Sequence, residues 1–112
     1  MKKVRYTPEA KNDLSEIKKY ISEELKSPIA ATNTVSRITK RIRDLEHFPE
    51  LGEQLSSIID IDSDYRFLVC ANYISFYRLD GNDVYIIRVI HGKRDYAAVL
   101  FGEPPSEEEK EE

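Results

Sequence analysis

The sequence predicts an α+β fold: a two-layer domain with an N-terminal strand and an antiparallel helical hairpin packed on a mainly antiparallel four-stranded sheet, in the order β-α-α-β-β-β, followed by a short C-terminal segment. Three observations carry this. Apolar residues recur at helical spacing twice in the first half of the chain. The second half switches to β-branched and aromatic runs. Proline and glycine signals fall between these segments rather than inside them.

Each element has a local reason. "KKVRY" (2–6) reads as a short strand that stops at Thr7-Pro8. Thr7 suits a helix N-cap, Pro8 the first helical position, and Glu9 the positive helix end. Ala10, Leu14, Ile17, Ile21 and Leu25 then form one apolar stripe, with Lys11, Asp13, Glu16, Lys18, Lys19 and Glu23 expected on a solvated face. Ser27-Pro28 repeats the cap-plus-proline signal. A second stripe follows at Ala31, Val35, Ile38, Ile42 and Leu45. The gap between the two stripes is only a few residues, which makes the helices antiparallel neighbours. Phe48-Pro49 ends the second helix, "PELGEQL" reads as a loop, and residues 53–63 carry no clear pattern.

Three strand runs come next: "YRFLVC" (65–70), "YISFYRL" (73–79) and "VYIIRVI" (84–90). Asp80-Gly81-Asn82-Asp83 has the chemistry of a hairpin turn, and Ala71-Asn72 is a tighter link. The last run is apolar on both parities apart from Arg88, so it is expected to be central. Arg88 either snorkels or pairs with an acid from the helices. "YAAVLF" (96–101) fits a short helix or a strand extension. The sheet face away from the helices has no covering element in this reading and is the natural functional surface.

Composition narrows the function classes. At 112 residues the chain is one domain with room for a core. Its apolar runs are too short for a membrane span, and "MKKVRYTPEA" lacks an apolar signal core. Cys70, the only cysteine, has no disulfide partner and no metal-ligand spacing, and an inert buried thiol is expected. These features point to a soluble, cytoplasmic protein with no membrane partner. The net charge of −4 is concentrated in "EPPSEEEKEE". Residues 1–102 hold sixteen Lys and Arg against fifteen Asp and Glu. The expected organisation is therefore a domain over 1–102 and a disordered acidic tail over 103–112, serving solubility or screening a basic surface.

The segments "YTPEAKNDLSEIKKYI", "SPIAATNTVSRITKRIRDLEHFPELGEQL" and "YRFLVCANYISFYRLDGNDVYIIRVIHGKRDY", in this order, resemble the RelE/ParE superfamily of toxins from bacterial type II toxin–antitoxin modules. The resemblance implies a toxin held inactive by a cognate antitoxin, with no cofactor and no metal. Two actions occur in that superfamily. ParE-like members bind DNA gyrase and inhibit it; RelE-like members cleave mRNA on the ribosome. A third outcome is an inert member.

Metal-free RNA cleavage needs a base for the 2′-hydroxyl, cations for the phosphorane charge and a donor to the leaving oxygen. Arg66 and Arg94 stand where RelE-like proteins carry cations, His91 is a substitute acid or base, and Tyr96 lies near the expected tyrosine. Leu68, Ile74 and Leu100 stand where further basic residues and that tyrosine are expected. Each residue also has a structural reading: His91 as a strand-end turn bonded to a backbone carbonyl, Arg94-Asp95 as a local ion pair, and Tyr73, Tyr77 and Tyr85 as half-buried strand residues. The hairpin, the "L..FP..G" ending and "RVIHGKRD" look more like the ParE side. For partner binding the candidates are Arg37, Lys40 and Arg41 on the second helix and Lys93 after the last strand, which would suit an acidic antitoxin segment.

Overall fold

The computed structural model describes residues 1–57 and 63–102. The acidic tail and part of the patternless stretch after position 57 lie outside the described residues. The elements are β1 (Lys3–Tyr6), α1 (Pro8–Lys19), a π-helical turn (Tyr20–Glu24), α2 (Pro28–Arg43), β2 (Glu53–Gln54), β3 (Arg66–Cys70), β4 (Tyr73–Asp80), β5 (Asp83–His91) and α3 (Tyr96–Phe101), with short 3-10 turns at Asp44–Glu46 and Leu55–Ser57.

The caps work as the sequence indicates. Thr7 accepts from the Ala10 amide at 3.1 Å, and Ser27 accepts from the Ala30 amide at 3.2 Å. The sheet order is β1-β5-β4-β3-β2. β1 runs parallel to β5, and the other neighbours are antiparallel. The sheet therefore has five strands rather than four; β2 is a two-residue addition that the loop-like composition of "GEQL" hides. The β4–β5 turn places Gly81 at φ 61° with Asn82 at negative φ, the signs of a type II′ turn.

The helices bury Ala10, Ile17, Ile21, Ala31, Ile38, Ile42 and Leu45 against Leu68, Tyr77, Val84, Ile86 and Val89. Both predicted stripes are realised except at Leu25, which is 59% exposed. The π turn explains this: its wider ring, closed by the Leu25 amide on the Tyr20 carbonyl at 3.3 Å, shifts the side-chain register by part of a turn. The opposite sheet face is not bare. Leu55, Phe76 and Ile90 form a second buried cluster there, packed by Tyr65, Phe67, Ile74, Tyr96, Val99 and Leu100. "YAAVLF" is thus a helix that partly covers the face expected to be open. Cys70 is partly buried, and Tyr77 is fully buried.

β5 lies between β1 and β4 rather than in the middle of the sheet, where β4 stands; it is apolar on both faces, and one irregularity organises it. Phe76 pairs with Arg88 but Tyr77 pairs with Ile86, leaving Ile87 as the extra residue of a β-bulge. Val84 and Ile86 face the helices before it; after it Val89 does so and Ile90 faces the second cluster. A strand without the bulge would send Val89 to the wrong layer.

Candidate functional site: a groove at the end of β5

β1 pairs with β5 only as far as Ile86, because the chain turns into α1 at Thr7. The exposed edge of β5 is then met by side chains. The Thr7 hydroxyl donates to the Ile87 carbonyl at 2.9 Å. The Asp13 carboxylate accepts from the Val89 amide at 2.9 Å and from two Arg88 guanidinium nitrogens at 2.7 and 2.9 Å. Three donors on one carboxylate make this a well-satisfied ion pair. Hydrogen bonding to Asp13 holds the Arg88 pKa above its usual range, against the opposing effect of burial.

Asp13 is 8% exposed and does not belong to a solvated face. The signal was present: Asp13 lies three residues after Ala10 and four before Ile17, on the apolar stripe itself. Arg88 takes the second of its two expected roles, pairing with a helix acid.

Beyond Val89 the edge opens into a groove of about 530 Å³ between the end of α1 and the ends of β4 and β5. Asp13, Glu16, Ile17, Tyr20 and Leu25 line it from the helices and the π turn, and Tyr73, Val89, His91 and Arg94 from the sheet and the turn after β5. The π turn turns Tyr20 and Leu25 outward, and both are more than half exposed. Tyr73 and His91 are cross-strand partners in edge-to-face contact, ring centroids 5.4 Å apart. Desolvation first, then the neighbouring Tyr20, raises the Tyr73 pKa. The Gly92 amide donates to the Asn72 carbonyl, so the His91 amide and the Val89 carbonyl face away from β4, along the free edge. The groove thus combines apolar rings with an unpaired strand edge, the two features that take up an extended or amphipathic peptide.

The sequence-predicted residues divide among several places. His91 and Arg94 share the groove. His91 Nδ1 accepts from the Lys93 amide at 3.1 Å, so its backbone bond is to an N–H rather than to the expected carbonyl. Among the described residues Arg94 forms no ion pair, and Asp95 instead caps α3 by accepting from the Ala98 amide at 3.2 Å. Arg66 is elsewhere: it pairs across to Tyr77, four β4 residues from the Tyr73–His91 pair, roughly 13 Å along the strand. Its guanidinium donates to the Gly52 carbonyl at 2.8 Å. Tyr96 packs on Phe76 in the second cluster, centroids 5.4 Å apart. Leu68 is buried under the helices, and Ile74 and Leu100 pack in the second cluster. Arg37, Lys40 and Arg41 are exposed on α2, Arg41 reaching Asp44 at 3.5 Å, while Lys93 is exposed at the far end of β5.

Comparison with known proteins gives this geometry a context. Residues 4–96 match the family model described as the ParE toxin of type II toxin-antitoxin system, parDE. That span is most of the chain, and the chain belongs to this family. Among solved structures it is similar to one titled "Chromosomal ParDE TA system from P. aeruginosa", with a TM-score of 0.69 and 22% identity over 81% of this chain and 96% of that one. It is also similar to a chain of the toxin-antitoxin complex RelBE2 from Mycobacterium tuberculosis, with a TM-score of 0.54 and 23% identity over 80% and 96%. At these identities the likeness is one of fold. No curated protein matches the chain.

Proposed function

We propose that this ParE-family toxin inhibits DNA gyrase and is neutralised by a cognate antitoxin whose segment occupies the groove at the end of β5. The observation that favours gyrase inhibition over RNA cleavage is the dispersal of the candidate catalytic set. General acid–base cleavage needs its base, cations and donor within hydrogen-bond reach of one phosphate. Arg66 is tied to a loop carbonyl some 13 Å along the sheet, and Tyr96 lies in the second cluster against Phe76. Loss of a single preorganised charge stabiliser costs roughly 100- to 1000-fold in rate, so a site without two of its groups is a poor nuclease. An inhibitor that works by binding needs no such convergence.

The groove supports the antitoxin part of the reading. Its apolar rings and free strand edge suit a peptide that folds on binding; Arg94 in its lining and Lys93 on the adjoining surface beside His91 suit an acidic one, placed away from Glu16 on the helix side. The test is gyrase-catalysed supercoiling with trapping of cleavage complexes, run with purified toxin and with its antitoxin added. Toxin is expected to inhibit and antitoxin to restore activity, with Leu25→Asp plus Tyr73→Ala weakening the restoration. Supercoiling unaffected by a toxin that slows growth refutes the gyrase reading.

A further inference from the structure

The loop between α2 and β2 presents its apolar side chains the wrong way round. Phe48 is 65% exposed and Leu51 40% exposed, although they come only three and six residues after the buried Leu45. The backbone that carries them is anchored. The Tyr77 hydroxyl, on a fully buried side chain, donates to the Pro49 carbonyl at 2.8 Å and accepts from the Gly52 amide at 2.9 Å. Arg66 donates to the Gly52 carbonyl, and the Phe48 and Leu51 amides close local turns onto Asp44 and Phe48. Gly52 is required by close approach: a Cβ there would lie 2.5 Å from the Phe67 carbonyl oxygen. The buried Tyr77 and the partly buried Arg66 thus fix a tip whose two large apolar groups belong to neither core cluster. Apolar side chains carried on an anchored backbone bind without the cost of ordering that backbone, which is the property of a binding anchor.

Charge selects the partner. From Asp44 to Gln54 the chain holds Asp44, Glu46, Glu50 and Glu53 and no Lys or Arg. Arg41 answers Asp44 at 3.5 Å, leaving Glu50 and Glu53 as the exposed rim. Phosphates of RNA or DNA are repelled by such a rim, whereas an apolar pocket bordered by Lys and Arg on a protein is matched by it. We propose that Phe48 and Leu51 are the anchor by which this toxin grips its target, at a cationic protein surface. That the target is gyrase rests on the reading above.

The experiment compares wild type, Phe48→Ala/Leu51→Ala and Glu50→Lys/Glu53→Lys for growth arrest on induction and for affinity to purified gyrase at two salt concentrations, with thermal midpoints as the control for folding. All four positions are exposed, so the midpoints are expected to stay within a few degrees. The double alanine is expected to lose growth arrest and about tenfold or more in gyrase affinity; the double lysine is expected to bind gyrase more weakly at low salt, with the difference shrinking at high salt. Undiminished growth arrest by a folded double-alanine variant overturns the anchor. So does a charge-reversed variant that binds gyrase as tightly as wild type. If wild type arrests growth without binding gyrase and the double alanine does not arrest it, the anchor stands and the gyrase reading falls. A wild-type chain that neither arrests growth nor binds gyrase overturns both.

Discussion

At the scale of single residues, Asp13 is the position on which the groove depends. Its carboxylate ties α1 to the bulged part of β5, and removing it leaves the Arg88 guanidinium and the Val89 amide without their acceptor. Asp13→Ala is expected to cost roughly 2–4 kcal/mol in urea unfolding, below the range for a fully buried pair because Arg88 remains partly exposed. Replacing both partners with apolar residues, as in Asp13→Leu/Arg88→Met, is expected to cost less than Asp13→Ala alone. A double variant worse than the single one by the full cost of Arg88→Met would contradict this.

Tyr77 gives a pH signature. Burial raises its pKa above 10.0, opposed by its hydrogen bond from Gly52 and by Arg66. A group with a raised folded pKa holds more protons folded than unfolded above the unfolded value, so its contribution is intact below about pH 10 and is lost as pH rises further. Tyr77→Phe is expected to flatten the alkaline fall in stability and to cost roughly 1–3 kcal/mol at neutral pH for the Gly52 amide and Pro49 carbonyl left unpaired. Denaturant midpoints between pH 7 and 11 read both effects.

At the scale of elements, most of the fold was legible in the residues, and the failures share a cause. Helices and long strands announce themselves by period, so the two stripes, their caps and the β4–β5 hairpin follow from the sequence. β2 does not, because two exposed polar residues have no period; its pairing is imposed by β3. Nor does the π turn, which shifts the register by part of a turn and so moves Leu25 from the core to the groove without any change in composition. The Ala71-Asn72 link carries a testable strain: Ala71 sits at φ 55°, where a Cβ costs about 1 kcal/mol or somewhat more. Ala71→Gly is expected to stabilise by up to about 1 kcal/mol after the greater entropy of unfolded glycine is counted, and a loss of stability would show that the alanine methyl is used elsewhere. Gly52→Ala is expected to destabilise by more than 2 kcal/mol, because the atom it meets first is backbone.

At the scale of the whole molecule, the site was less legible than the fold. His91 and Arg94 were recognisable as a charged interruption after β5, and the structure does bring them together. Arg66 and Tyr96 looked equally suitable on one dimension, yet strand register and face direct them elsewhere, and neither can be read from residue type. The anchor at Phe48 and Leu51 was hidden for the opposite reason, since "FP" after a helix reads as an ordinary stop. The family assignment and the groove together predict that the purified complex with an acidic antitoxin segment melts well above free toxin and that its midpoint rises with antitoxin concentration. Equal midpoints for toxin and complex would remove the groove as a high-affinity site.

The central claim is that this toxin acts by gripping a protein rather than by cutting RNA. The most direct measurement applies one preparation to two substrates, gyrase with supercoiled and relaxed DNA, and mRNA on programmed ribosomes. Inhibited supercoiling with intact transcripts is the predicted result. Cleaved transcripts, with cleavage abolished by His91→Ala or Arg94→Ala and supercoiling untouched, would contradict it.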